Sequence, residues 1–191
     1  MSDKFKILAI SGSTRKSSSN LNLIKAIAEL SSELFAVNLF DGLTDLPHFN
    51  PDLDGENAPE QIIKFRQLLK DADGVLICTP EYAIGVPGTL KNAIDWTVSS
   101  MEFSQKPVAL ITASTSGEKA HASLLGTLLI IESKMTEESQ LVISGIKSKV
   151  SDSGQITDQE TLAQVQRLID ALGKMVRGEA VKMLPPPSLK C

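Results

Sequence analysis

Residues 7–24 read ILAISGSTRKSSSNLNLI, and this stretch decides the fold. Lys4 to Ile10 is a first strand, apolar at nearly every position past Lys6, as in a parallel strand covered on both faces. A polar loop follows. A helix then runs from about Asn20 to Leu34, with Leu23, Ile24, Ile27, Ala28 and Leu30 at helical spacing. A loop between a buried strand and a helix N-terminus favours anions, because free N–H groups and a partial positive charge face it. Ser11, Ser13, Thr14, Ser17, Ser18 and Ser19 add hydroxyls, and Arg15 adds a planar fork for phosphate oxygens. Helix capping accounts for one or two of these serines, not for the whole run. The dinucleotide pattern needs three spaced glycines, and this loop has only Gly12. The Walker pattern is also missing. A hydroxyl-rich loop with one Arg suits a terminal phosphate monoester.

Outward from this unit, strand and helix keep alternating. Strands are expected over Phe35 to Phe40, Gly74 to Thr79, Pro107 to Ala113 and Ser139 to Gly145. Helices are expected from Pro59 to about Lys70, Leu90 to Ser99, Ala120 to Lys134 and Asp158 to Val176. Five such alternations specify an α/β fold, a parallel sheet with helices on both faces. Ligands then bind beyond the carboxyl ends of the strands. Three loops stand there: Ser11 to Ser19, Thr79 to Gly88 and Ser114 to Lys119. No repeat or second domain is visible, so residues 1–191 read as one domain with a Pro-rich tail from about 183.

The second loop and the helix after it, TPEYAIGVPGTLKNAIDW (79–96), are stiffened by Pro80, Gly85, Pro87 and Gly88. Such a loop can hold backbone donors and acceptors in fixed directions. Tyr82 can present a flat face to an aromatic ligand. Ile94 reads as core. Trp96 reads as core or subunit contact. Asp95 reads as structural rather than as a catalytic acid.

With both loops in view, the chain resembles the NAD(P)H-dependent FMN reductases, a family that includes chromate reductases, quinone reductases and some azoreductases. Gly12, Ser13, Arg15, Ser18 and Asn20 lie in one signature. Pro80, Glu81, Tyr82, Pro87, Gly88, Leu90, Lys91, Asn92, Asp95 and Trp96 lie in the other. The resemblance implies a flavodoxin-like three-layer sandwich with strand order 2-1-3-4-5. It implies bound FMN, with the phosphate on Ser13, Arg15, Ser18 and Asn20 and with Ser11, Thr14, Ser19 and Leu21 completing that loop. The flavin ring is expected on the backbone of Pro80, Glu81, Tyr82, Ala83 and Ile84, near Ser114, Thr115, Ser116 and Gly117. NADPH or NADH would pass a hydride through FMN to a quinone, chromate, azo compound or flavin. No side chain is assigned a catalytic role, and no metal is expected.

The chain departs from the family at Ala83, where Asn is common, and at Ile84, where a polar residue is common. The third loop carries Ser116, Gly117, Glu118, Lys119 and His121 in place of a Gly-Gly pair and an Arg. His121 reads as a surface residue and His48 as solvated. Two other functions compete: a flavodoxin-type electron carrier and a non-catalytic flavin-binding protein. Carriers are usually far more acidic and more aromatic than a chain of net charge -4 with 4% aromatic residues. The same mild charge argues against nucleic acid as a partner. No apolar run suits a signal peptide or a membrane span, and Cys78 and Cys191 form no disulfide framework, so a cytoplasmic enzyme is expected. The resemblance also implies a dimer or tetramer, with the helix after Gly88 at the interface. The Pro-rich tail either wraps a neighbour or is disordered.

Overall fold

The structure is a computed structural model and describes residues 4–15, 17–55 and 57–188. Lys16 and Cys191 lie outside the described residues. Five strands form one sheet: β1 (Phe5–Ser11), β2 (Phe35–Phe40), β3 (Gly74–Thr79), β4 (Val108–Ser114) and β5 (Gln140–Ser144). Four α-helices lie in the connections, α1 (Ser19–Leu30), α2 (Glu60–Asp71), α3 (Gly88–Asp95) and α4 (Glu118–Ile130), and α5 (Gln159–Val176) follows β5. The order is β2-β1-β3-β4-β5, and every pairing is parallel. This is the flavodoxin-like winding, which reverses between β1 and β3.

Side chains alternate across each strand, so each strand feeds two cores. Leu8 and Ile10 of β1 and Val75 and Ile77 of β3 pack with Ile62, Phe65 and Leu69 of α2, Leu90 of α3 and Leu124 and Leu128 of α4. Ile7 and Ala9, with Leu76 and Cys78, pack with Leu23, Ile24 and Ile27 of α1 and Val165, Leu168 and Leu172 of α5. Apolar residues at nearly every strand position follow from this double cover. Burial pushes the Cys78 thiol pKa far up, so the residue acts as a small apolar filler.

Several boundaries differ from the sequence expectation. α1 ends at Leu30, not Leu34, because the Ser31 hydroxyl donates to Ile27 O at 2.7 Å and turns the chain towards β2. α3 ends at Asp95, and irregular turns follow, with Met101 at φ 60° and Gln105 at φ 59°. α4 begins at Glu118, two residues early, because Gly117 at φ 118° makes the sharp entry turn. It ends at Ile130.

Trp96 is core, with no exposed surface. Its Nε1–H donates to Pro47 O at 2.8 Å, and Phe49 meets its ring edge-on at 5.0 Å. Asn92 Nδ2 also donates to Pro47 O, at 2.9 Å, and Asn92 Oδ1 accepts from Phe49 N–H at 2.7 Å. The ion pair Arg66–Asp54 (2.6 Å) holds the same loop. Two residues of the second signature, Asn92 and Trp96, therefore anchor the long loop 41–58. Asp95 is structural as expected, paired with Lys91 at 2.6 Å. Within the described part of the tail, Leu184 N–H donates to Met135 O at 2.8 Å, so the tail docks on its own chain.

Candidate functional site

A cleft of about 520 Å³ opens at the carboxyl edge of the sheet. The first loop supplies Ser13, Arg15, Ser18, Ser19 and Asn20, and the second supplies Pro80, Glu81 and Tyr82. Ala113 ends the buried part of β4, and Ser114 and Thr115 follow it. A fourth segment, Gly145, Ile146, Lys147 and Ser148, completes the lining. The sequence reading missed this segment. The rule that ligands sit beyond strand ends applies equally to β5 and would have found it.

The first loop is shaped by its own hydroxyls. Ser11 Oγ donates to Ser13 O at 3.2 Å and accepts from Ser13 N–H at 3.3 Å. Ser18 caps α1 by accepting from Asn20 N–H at 3.2 Å. The loop also presses on β3: Gly12 N–H donates to Cys78 O at 2.8 Å, and a Cβ at Gly12 would fall 2.3 Å from Thr79 Oγ1. Only glycine fits there. Arg15 is exposed, and one of its guanidinium N–H groups donates to Ser17 O at 3.2 Å. A smaller cavity of about 160 Å³ lies against the same loop, lined among others by Ser11, Thr14, Leu21, Asp41 and Thr44. Ser13 and Arg15 line both cavities. Ser11, Thr14 and Leu21 line only the smaller one.

Asn20 is buried. Its Nδ2 donates to Ala113 O at 3.0 Å, while Oδ1 has no partner among the described residues. A buried amide oxygen without a partner costs about 1–3 kcal/mol. The first turns of α1 and α3 carry no acid, whereas those of α2, α4 and α5 carry Glu60, Glu118 and Glu160. The positive end of α1 thus meets the cleft uncompensated.

Glu81 lines the cleft, but its carboxylate is committed elsewhere. It accepts from Ala120 N–H at 2.9 Å and from the Ser116 hydroxyl at 3.1 Å. Gly117 cannot cap α4 with a side chain, so Glu81 does so from the loop after β3. The Ala120 N–H bond, with smaller help from Ser116, holds the carboxyl below its ordinary pKa. The bond also ties the second loop to the third. Ser116 and Gly117 therefore shape α4's entry rather than line the cleft.

Beyond Tyr82 the chain makes a two-residue turn. Tyr82 N–H donates to Gly85 O at 2.8 Å, and Gly85 N–H donates to Tyr82 O at 2.9 Å. Ala83 (φ 49°) and Ile84 (φ 67°) occupy its tip, both left-handed. Such residues, when not glycine, store about 1–3 kcal/mol each. Neither lines the cleft.

His121 is buried, contrary to the surface reading. Gln140 Nε2 donates to Glu137 at 3.2 Å, so its Oε1 faces His121 and accepts from His121 Nε2–H. His121 Nδ1 then accepts from the Thr112 hydroxyl at 2.9 Å. Burial lowers the imidazole pKa, with the Gln140 bond opposing. Its helix turns it towards β4 and β5, away from solvent. Its periodic position, three residues before Leu124, was the signal available in the sequence.

A doubly wound α/β sheet with a hydroxyl-rich anion loop and a stiff second loop at its switch point defines a flavoprotein-like class of site. The profile of the NADPH-dependent FMN reductase family matches residues 5–147, and the chain belongs to that family. It is 31% identical to a quinone reductase of Pseudomonas putida, over 93% of this chain and 97% of that one. It is 31% identical to an NAD(P)H-dependent FMN reductase of Pseudomonas aeruginosa, over 93% and 98%. Among solved structures it superposes on FerB, a flavoenzyme NAD(P)H:(acceptor) oxidoreductase of Paracoccus denitrificans. That match has a TM-score of 0.76 and 28% identity, and covers 93% of this chain and 100% of that one. The membership makes the protein an enzyme of this NAD(P)H-dependent flavin class. No helix among the described residues is long and apolar enough to cross a membrane.

Proposed function

We propose that the cleft binds FMN and that the protein carries reducing equivalents from NADPH or NADH to a small-molecule acceptor: a quinone, chromate, an azo compound or a flavin. The observation that carries this reading is the cleft's polar end. There Ser13, Ser18, Ser19 and Arg15 surround the uncompensated N-terminus of α1, beside the orphaned Oδ1 of Asn20. The donors suit a phosphate monoester. Asn20 suits another part of the same ligand: Nδ2 is already used, and the free Oδ1 needs a donor, which a ribityl hydroxyl provides and a phosphate dianion does not. FMN carries both groups.

The chemistry that FMN supplies when bound is hydride transfer from nicotinamide onward to the acceptor. The chain's residues bind and orient. Arg15 grips phosphate oxygens with its fork. Ser13, Ser18 and Ser19 donate hydroxyls. Pro80, Glu81 and Tyr82 offer backbone groups to the ring edge, with Ser114 and Thr115 across from them, and Lys147 adds a second cation to the lining. Glu81 is occupied at α4, so the proton that an acceptor takes up comes from water.

Absorbance titration with FMN tests this directly, followed by NADPH addition without oxygen. Bound FMN gives its two visible bands, which bleach with NADPH. A protein that takes up no FMN refutes the reading. Binding without bleaching by NADPH or NADH supports an electron carrier instead.

We infer in addition that two copies associate through the face after α3. Val98 and Met101 stand there 52% and 58% exposed. A stable monomer in sedimentation velocity refutes this. A reducing cytoplasm suits Cys78, a free and buried thiol.

A further inference from the structure

The smaller cavity, of about 160 Å³, has a chemistry of its own. It lies where the first loop meets the carboxyl end of β2. One wall is apolar, made by Leu21 of α1, Leu39 and Phe40 of β2, and Leu43. Leu39 belongs to neither core and is 42% exposed. Asp41, the first residue after β2, brings a carboxylate to the lining. It enters none of the ion pairs among the described residues. Ser13 and Arg15 line this cavity and the cleft alike, so the two spaces meet at the first loop.

Those groups limit the ligand. A bare anion suits Arg15 but is repelled by Asp41. A carboxylate calls for donors, and the vicinal diol of a ribose offers two. The apolar wall calls for a flat, weakly polar group, and the guanidinium for a phosphate. A nucleoside phosphate carries base, diol and phosphate on one short frame. The volume suits one nucleoside end rather than a whole dinucleotide, since sites that hold a complete ligand start at about 300 Å³. In dinucleotide-binding sheets an acid downstream of the phosphate loop takes the ribose 2′-hydroxyl. Asp41 stands in the corresponding place.

We propose that this cavity holds the adenosine end of the nicotinamide cosubstrate, and that Asp41 accepts a hydrogen bond from its 2′-hydroxyl and so selects NADH over NADPH. This rests on the FMN reading of the larger cleft. With the FMN phosphate on Arg15, the guanidinium is already engaged. A 2′-phosphate would then set its charge against the Asp41 carboxylate with no cation to spare, and such a repulsive contact is what discriminates between two otherwise equal ligands.

The test compares wild type, Asp41→Asn and Leu39→Ser, each saturated with FMN. Calorimetry with AMP and with adenosine 2′,5′-bisphosphate reads the cavity without turnover, because neither nucleotide reduces flavin. AMP binds wild type, and the bisphosphate binds roughly tenfold more weakly, the size of one hydrogen bond to a charged group. Anaerobic reduction of the bound FMN shows the same preference for NADH over NADPH. Asp41→Asn closes the gap in both readouts and leaves FMN affinity unchanged, because Asp41 does not line the larger cleft. Leu39→Ser weakens both nucleotides alike and keeps the preference. FMN-loaded protein that takes up no AMP overturns the proposal. So does AMP that FMN displaces, which puts it in the larger cleft, and so does a NADH-to-NADPH ratio that Asp41→Asn does not move. A wild type that binds no FMN overturns the underlying reading, whereas one that binds FMN with an indifferent Asp41→Asn overturns the adenosine site alone.

Discussion

The first and second loops meet in one cleft but are held in different ways. In the loop from Ser11 to Asn20 the hydroxyls are organised locally, Ser11 bonding Ser13 and Ser18 capping α1, while Gly12 and Asn20 tie the backbone to Cys78 and Ala113. Its free groups are side-chain hydroxyls, a guanidinium and a helix end. The loop from Thr79 to Gly88 is organised from a distance. Glu81 reaches 39 residues along the chain to Ala120, and the strained tip at Ala83 and Ile84 hangs on that anchored loop. A charged group can be gripped by flexible side chains, because charge-assisted bonds are strong. An apolar ring offers no such handle, so the surface that meets it must be held rigid beforehand.

Substitutions can break this contrast. The largest expected effect is from Arg15→Ala in the first loop. It removes a charge-assisted phosphate contact of about 1.5–3 kcal/mol, roughly a tenfold to 150-fold loss of FMN affinity by titration. The melting temperature of the FMN-free protein stays unchanged, since Arg15 is exposed. Next is Gly12→Ala. Its Cβ meets Thr79 Oγ1 at 2.3 Å, and overpacking costs about 1–3 kcal/mol of stability in denaturant unfolding. Unchanged stability would mean that the first loop shifts freely against β3.

His121→Phe leaves the Thr112 hydroxyl and the Gln140 oxygen without their partner, a loss of about 1–3 kcal/mol. Wild-type stability also carries a pH signature here. The folded imidazole pKa lies below the ordinary 6.5, so the unfolded chain binds the proton first. The contribution is complete above 6.5 and is lost as the pH falls towards the folded value. His121→Phe removes that part of the slope.

Glu81→Gln sharpens the comparison most, because it cuts the second loop's tether and leaves the first loop intact. Quinone turnover should fall more than FMN affinity. Glu81's lowered pKa means that its contribution holds above the ordinary 4.5 and fades as acid protonates the folded carboxylate. An FMN affinity that falls as far as it does in Arg15→Ala would erase the distinction between the loops. The smallest effect is from Lys91→Ala, which breaks an exposed pair with Asp95 on α3. It should change stability by no more than about 0.3–0.5 kcal/mol.

Much of this was legible in the sequence. β2 and β3 match their expected bounds residue for residue, because short apolar runs between polar breaks leave little choice of ends. The anion loop was legible because its chemistry is contiguous. Helix ends were read less well: α1 and α4 stop where Ser31 and the turn at Ile131 satisfy last-turn carbonyls, which periodicity does not register. His121 was misplaced because a single polar residue near a helix start gives no sign of Thr112 and Gln140 waiting on two strands.

The sequence by itself determined the doubly wound sheet, the anion-binding first loop and the family. Each depends on residues close together in the chain, where periodicity and helix-end physics act. Only the tertiary structure decided that Glu81 caps α4, that the segment from Gly145 to Ser148 lines the cleft, that Asn20 keeps an acceptor free and that Ile84 stands strained in solvent. Those facts depend on which distant groups each atom meets, and the folded chain alone sets those encounters.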